Sequence, residues 1–553
     1  MNKKLSILII LTMFASAFAA INISLNDTAL YTFTEDFYGI QYNRFAFKDS
    51  VATNKLKPLN IKWIRQWAYP EDFHPEPGVW NWTILDDKIN RCDSLGYEIV
   101  LCLFQSHDWF IGTPENGWWN YDSGRTEWPI AARELAKRYK DQVRIFLLFD
   151  EVNYMYPEQD DYMTFKTCAE LYVEATREIK ALDPTLLCGG PSGHSGWECG
   201  HWGNYVMAEP GADTLLDLIA PNQFITWGPD ESDNDVMDHT IWYEEGPNKI
   251  RGMMGNDFPG MLVLDAYNAN GSWQNNGELW TDPRNTNHFG GIYHALAKLH
   301  SAKGGYDITL HWETLGGYGI LQWFPHYTPT IPYYTWRFLI ESADMISGSI
   351  LIDANTNESP RNVKHMNSTH VNSYTVQPFA IKTADNNYNV ILINKQSDDK
   401  NLKIQTPLGM QSYSLSYFDG EILYTNSTPI MGDAGDSVSV FCPGMSIALV
   451  KFSSEAYVGI KDISIPESCE IINAYPNPFN PKIAISYQLS ANSKIKLSIY
   501  NSAGQKVTNI LKETKKAGTH EISWDASGHP SGIYLIKLTS NEMVDVKKVL
   551  LVK

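Results

Sequence analysis

For 553 residues the chain has few cysteines, seven in all, with no CxxC pair and no His-rich cluster beside them. A disulfide framework is therefore excluded, and with no zinc-type ligand spacing no metal site is expected. The odd count leaves at least one thiol unpaired. Cys188 and Cys199 are candidates for a bridge that spacing alone does not decide. Basic residues are also scarce: 44 Lys and Arg stand against 63 Asp and Glu, a net charge of -19. Such a surface repels phosphate, so no nucleic-acid partner is expected, whereas a neutral substrate suits it. Past the N-terminus no apolar run approaches the roughly 20 residues of a membrane span. No Gly-rich phosphate turn, nucleophile elbow or Cys/His pair is present, and no cofactor is expected.

Aromatic residues, by contrast, are abundant, at 13% with 18 Trp and 30 Tyr. So many large rings exceed what a core needs and suit apolar platforms for a flat, hydroxyl-rich ligand such as a sugar. The N-terminus, MNKKLSILIILTMFASAFAA, has a basic start at Lys3 and Lys4, an apolar stretch from Leu5 to Phe14, and small residues at Ala17 and Ala19. That pattern predicts a secretory signal peptide over residues 1–19 and an exported mature protein.

From residue 20 to 346, short apolar runs alternate with helix-like segments. The expected strands are 37–43, 61–67, 98–105, 143–151, 185–190, 218–227, 260–268 and 307–313. Amphipathic stretches such as 128–141 and 163–183 lie between several of them, with apolar residues at helical spacing. Eight strands with crossovers predict an α/β chain folded as a (β/α)8 TIM barrel. The doubly wound open sheet, its competitor, lacks its phosphate turn here. Residues 347–455 carry short β-rich runs broken by Asn, Asp and Gly, which predicts an antiparallel β-sandwich. Residues 456–472 read as a linker, and 473–553 as a small all-β module.

Catalytic side chains of such barrels gather at the C-terminal ends of the strands. Polar residues cluster there in this sequence: Gln41, Arg65, His107-Asp108-Trp109, Asp150-Glu151-Asn153, Trp227, Asp265, Asn268 and His311-Trp312-Glu313. Each alone has an ordinary structural explanation; their collection on one rim asks for a functional one. Carboxyl pairs flanked by aromatic rings are what glycosidic cleavage requires, one group protonating the leaving oxygen and the other attacking carbon or activating water. Glu151, Asp265 and Glu313 are the candidates for that work. A non-catalytic glycan-binding barrel and an inert adhesin are the alternatives. They are distinguished by whether binding survives loss of the carboxylates, and by whether Trp67, Trp109, Trp227 and Trp312 converge.

Two resemblances sharpen this reading. "YPNPFNP" at 475–481, "LSIYNSAGQKV" at 497–507 and "WDASGHPSGIYLIKL" at 524–538 resemble the C-terminal sorting domain of type IX secretion substrates. That resemblance implies a Bacteroidetes-like host, engagement with the secretion machinery, and a secreted or surface-attached product from which the module is often cleaved. In the barrel, "IKWIRQW", "HPEPGVWNW", "DEVN", "LLCGGPSG", "LVLDAYN" and "LHWET" resemble a retaining glycoside hydrolase of clan A, nearest the β-xylosidase/α-L-iduronidase family. The resemblance implies that Glu151 is the general acid/base, that Arg65 steadies the nucleophile and that Trp312 floors the sugar site. Asp150 stands where the clan usually has Asn. The remaining substrate contacts would come from Asn153, Trp67, His107, Trp109, Trp227, Asn268 and His311. Ala266 stands where the clan's nucleophilic Glu belongs. Three outcomes stay open: Asp265 or Glu313 substitutes, the register slips so that Asp265 is the nucleophile, or catalysis is lost.

Overall fold

The computed structural model describes residues 20–553 except 77, 105–120, 151–164, 194–195, 213, 227–228, 256–257, 273, 276–277, 324–325, 365–369, 419–428, 457–468, 478, 490–492, 502–504, 516–517 and 541–542. Glu151, Asn153, His107, Trp109 and Trp227 therefore lie outside the described residues. The chain divides into two compact units between Tyr457 and Val458.

Eight parallel strands close into a barrel in the first unit: β1 (Tyr38–Gln41), β2 (Trp63–Ala68), β3 (Glu98–Leu103), β4 (Val143–Leu148), β5 (Leu187–Gly193), β6 (Leu218–Thr226), β7 (Met261–Asn270) and β8 (Ile308–His311), with β8 bonded to β1. Alternate residues explain why these segments are apolar over most of their length. Val100, Cys102, Ile145, Leu147, Val263 and Leu310 fill the barrel interior. Ile99, Leu101, Phe146, Leu148, Leu262 and Leu264 face the surrounding helices. A strand buried on both faces cannot show a polar alternation.

Nine further strands form one antiparallel-rich sheet. Its central strand Tyr388–Asn394 is buried along its whole length. Val390 and Leu392 enter the core between the layers of the β-domain, while Ile391 and Ile393 join the cluster shared with the barrel helices. One correction to the expected layout follows. Residues Ile21–Thr32, assigned by sequence to the barrel, pair antiparallel with Ile350–Thr356 and parallel with Lys400–Gln405. The segment precedes the barrel in sequence but completes the sheet behind it, because its unpaired edge groups find partners only there.

The second unit is a seven-stranded module of one three-stranded and one four-stranded sheet, Cys469–Tyr475 through Met543–Leu551, closed over a core of Ile485, Leu497, Ile499, Trp524 and Ile536. Its first strand begins inside the stretch expected to be linker. Cys188 and Cys199 form no disulfide with each other, and both are buried. Among the described residues no helix is long and apolar enough to cross a membrane.

Candidate functional site

Near the C-terminal end of the barrel, Arg65 from β2 is almost wholly buried and collects acidic groups from across the interior. Its Nε donates to Asp265 Oδ1 at 2.7 Å, and its Nη2 lies 2.6 Å from Asp265 Oδ2 and 3.0 Å from Asp150 Oδ1. Trp67 Nε1 donates to Asp150 Oδ2 at 3.0 Å, and the guanidinium sits 4.5 Å from the Trp67 ring centroid. Asp150 thus meets a charged fork and an indole N–H, two donors that a carboxylate accepts and an amide NH2 group would repel. This accounts for Asp where the clan usually has Asn.

Ser192, in the β5 segment, lies between Asp265 and Asn222 of β6, within hydrogen-bonding reach of both. A hydroxyl has one proton to give, so either Asp265 carries a proton or Asn222 turns its amide NH2 toward Ser192. Burial pushes the Asp265 carboxyl up, and the adjacent Arg65 opposes that shift. Asp265 has no solvent exposure and both its oxygens are engaged. It corrects the expectation of a catalytic carboxylate at that position: Asp265 is a foundation beneath the mouth.

The strand register shows why. Between β7 and β6, Ile219 pairs with Leu262 and Asn222 with Ala266; between β7 and β8, Leu264 pairs with Thr309 and Tyr267 with His311. β7 therefore carries one residue more than either neighbour over 262–267, a bulge that re-aims the side chains around it. Asp265 points inward to Arg65, yet Tyr267, two residues on, packs outward against His294 and Tyr243. Sequence alternation alone would have put both on one face.

The loop after β8 builds the opposite wall. One carbonyl, that of Tyr318, accepts from Asn268 Nδ2 at 2.9 Å, from the Glu313 N–H at 3.3 Å and from His311 Nε2 at 3.1 Å. Asn268 Nδ2 also donates to the Trp312 carbonyl at 2.6 Å. Asn268 was expected to touch substrate; instead its amide hydrogens are spent holding the Trp312–Glu313 segment. The Trp312–Glu313 peptide is cis. The Trp312 ring meets Trp67 edge-on at 5.2 Å and Phe224 at 6.4 Å. The Glu313 carboxylate has no hydrogen-bond partner among the described residues, and burial pushes it up to about 7.

His311 is likewise corrected from a substrate contact to a core residue. It is fully buried on the helix side, 4.8 Å from His294 and 5.6 Å from Trp336 by ring centroids. Lys298, also buried, sits 3.8 Å from the Trp336 ring centroid and donates to Thr309 at 3.1 Å. Desolvation, with Lys298 nearby, holds His294 down to about 3 and His311 well below the usual imidazole range. The unfolded chain protonates these rings near pH 6.5 while the folded one does not, so stability falls as the pH drops below 6.5. His294 alone removes about 2 kcal/mol between pH 7 and pH 5. Urea midpoints at the two pH values should show the loss, and His294→Phe should shrink it; equal midpoints in the native chain would contradict a neutral buried imidazole.

Four participants escaped sequence reasoning: Ser192, Asn222, Phe224 and Tyr318. Asn222 left a trace, standing with Gln223 as a polar pair inside the largely apolar run 218–226. The other three left none, because a Ser beside Pro, a Phe in a strand and a Tyr in a loop are ordinary.

Comparison with known proteins covers both units. Residues 473–553 match the family described as the secretion system C-terminal sorting domain. The protein is secreted or displayed at the cell surface. No curated protein sequence matches the chain. Solved structures share the fold of the first unit at low identity. A GH51 arabinofuranosidase from Xanthomonas axonopodis pv. citri is 12% identical with a TM-score of 0.56, covering 78% of this chain and 100% of that one. A family 44 xyloglucanase from Paenibacillus polymyxa is 12% identical with a TM-score of 0.55, covering 78% and 99%. A GH30 endoxylanase from Clostridium papyrosolvens is 12% identical with a TM-score of 0.51, covering 79% and 100%. The barrel and its β-domain thus share the fold of glycoside hydrolases.

Proposed function

We propose that the first unit is a glycoside hydrolase acting on a poly- or oligosaccharide, nearest in kind to the β-xylosidase/α-L-iduronidase family, with Glu151 and Glu313 as its carboxyl pair. The observation that carries this is Glu313: an unanchored carboxylate, raised to about 7, following the Trp312 ring at the barrel mouth. Asp265 and Ala266 leave β7 without an accessible acid, and Glu313 is the acid that follows the next strand. Glu151, assigned from its place after Asp150 and from the "DEVN" resemblance, donates a proton to the leaving oxygen. Glu313 takes a proton from water, whose oxygen bonds to the anomeric carbon as the glycosidic bond breaks.

The two residues follow β4 and β8, which stand four places apart in a ring of eight strands. Acids carried by segments that follow opposite strands suit the roughly 6.5–9.5 Å separation that leaves room for a water, and hence inversion rather than retention. Proton NMR of the first product formed from a defined glycoside tests this. A product of inverted anomeric configuration is expected, and a retained one would exclude Glu313 as a water-activating base.

A second reading is favoured by Ala266 and the sequestered Asp265: a barrel that binds glycan without cutting it. Release of no reducing ends from a broad polysaccharide panel, with retention on affinity gels intact, would establish it. In either case the sorting module is proposed to hand the protein to a type IX secretion system in a Bacteroidetes-like host. Deleting residues 473–553 should then leave the product within the cell envelope, measured by fractionation; undiminished export would refute the role.

A further inference from the structure

Two large rings at the barrel's C-terminal face are left half in water, Trp323 at 52% exposure and Phe45 at 48%. They come from different loops yet meet edge to face, with centroids 6.2 Å apart. Phe45 lies in the short helix Arg44–Lys48 after β1, capped by Asn43, whose side-chain oxygen accepts the Phe45 and Ala46 N–H groups. Trp323 lies in the loop that begins with Glu313. That loop is cross-tied by Leu321 N to Thr314 O at 3.0 Å and Gln322 N to Thr328 O at 2.8 Å.

Gly316, at φ +91°, leaves room for the indole: a Cβ there would stand 2.7 Å from Trp323 Nε1. The two loops are also stitched together. Lys55 Nζ donates to the carbonyls of His326 and Tyr327 at 2.9 and 3.0 Å, and Tyr327 Oη donates to the Phe45 carbonyl at 3.5 Å. Arg44 extends its guanidinium over the Phe45 ring, 4.8 Å from the centroid.

Exposed rings held this firmly forgo burial free energy in the free protein and lose little conformational freedom when a ligand covers them. An apolar face bordered by a guanidinium donor suits a sugar ring, which has C–H groups on its faces and hydroxyls at its edge. The occupant is specified by continuity: Trp323 belongs to the same loop as Trp312 and Glu313, and Phe45 meets its ring, so the pair extends the site they form. We propose that Trp323 and Phe45 form an outer sugar platform, so that the barrel takes an extended polysaccharide chain, one unit over Trp312 and another over Trp323, rather than a single terminal sugar. The proposal rests on reading the mouth as a glycan site, but not on catalysis there.

The test uses the full chain with Trp323→Ala, Trp323→Phe and Phe45→Ala, all at exposed positions. Retention is measured on affinity gels containing xylan, arabinoxylan, xyloglucan or β-glucan, and cleavage is measured on aryl monoglycosides. Trp323→Ala should weaken retention about tenfold, Phe45→Ala less, and Trp323→Phe should recover most of the loss, a range suited to one stacking contact. Cleavage of aryl monoglycosides, where present, should not change.

If Trp323→Ala is retained like the native chain on every gel that binds it, the proposal fails. It also fails if the native chain is retained on none, even should it cleave short glycosides. If Trp323→Ala alters the oligomeric state and leaves retention unchanged, the rings are a self-association surface and the proposal is again wrong. Trp323-dependent retention without any hydrolysis would instead uphold the platform and overturn the hydrolase.

Discussion

Glu313→Gln is expected to lower hydrolysis by about 10²–10⁴-fold, the range of a removed general acid or base. The substitution keeps the shape of the side chain and adds no charge to a half-buried place, so the fold should survive; circular dichroism and melting checks that. The pH profile is the more discriminating readout. A carboxyl group held at about 7 by burial is protonated below that pH and ionised above it. Acting as the base, it is competent only when ionised, so kcat/KM in the native enzyme should rise as pH increases through about 7. In Glu313→Gln the residual rate should lose that ascending limb. A native profile flat from pH 5 to 8, or a Gln variant of full activity, would remove Glu313 from the reaction.

Arg65→Met should destabilise the first unit by about 3–5 kcal/mol, the scale for stripping a buried carboxylate of its partner. Arg65 faces Asp265 and Asp150 at once, with side-chain exposures of 1%, 0% and 10%, so water cannot replace the lost cation. Asp265 would be left to take up a proton, and the Trp67–Asp150 bond would lose its anchor. Adding Asp265→Leu to Arg65→Met should recover part of the loss, since an apolar pair leaves no charge stranded. Urea unfolding measures both. A single variant within about 1 kcal/mol of the native chain would show that the cluster is solvated rather than sealed, and would reopen the question of Asp265 as a reacting group.

The two predictions separate two kinds of acid that look alike in sequence. Asp265 and Glu313 each stand at the end of a barrel strand, and both were reasonable partners for Glu151. What divides them is packing. Alternation from Val263 keeps Asp265 inside, where Arg65 and Ser192 hold it, and the bulge that follows turns Tyr267 out among the helices. Period-two alternation cannot report a bulge, because nothing in "LVLDAYN" marks where pairing slips. His311 misled for a related reason. Its neighbours Trp312 and Glu313 lie beyond the end of β8, where strand alternation stops applying, while His311 itself still obeys it and faces the helices.

The sequence alone determined the alternation of apolar runs and amphipathic segments, and with it the barrel, since burial on two faces of a parallel strand leaves an unmistakable composition. It also determined the C-terminal sorting domain, because its motifs are short, contiguous and read without folding. Tertiary structure decided which strand completes the β-domain, which acids are sealed by Arg65 and which carboxylate is left without a hydrogen bond among the described residues. Those outcomes depend on pairing register and on partners from 44 to 381 residues away, and a charge is silenced or left reactive only by what is packed against it.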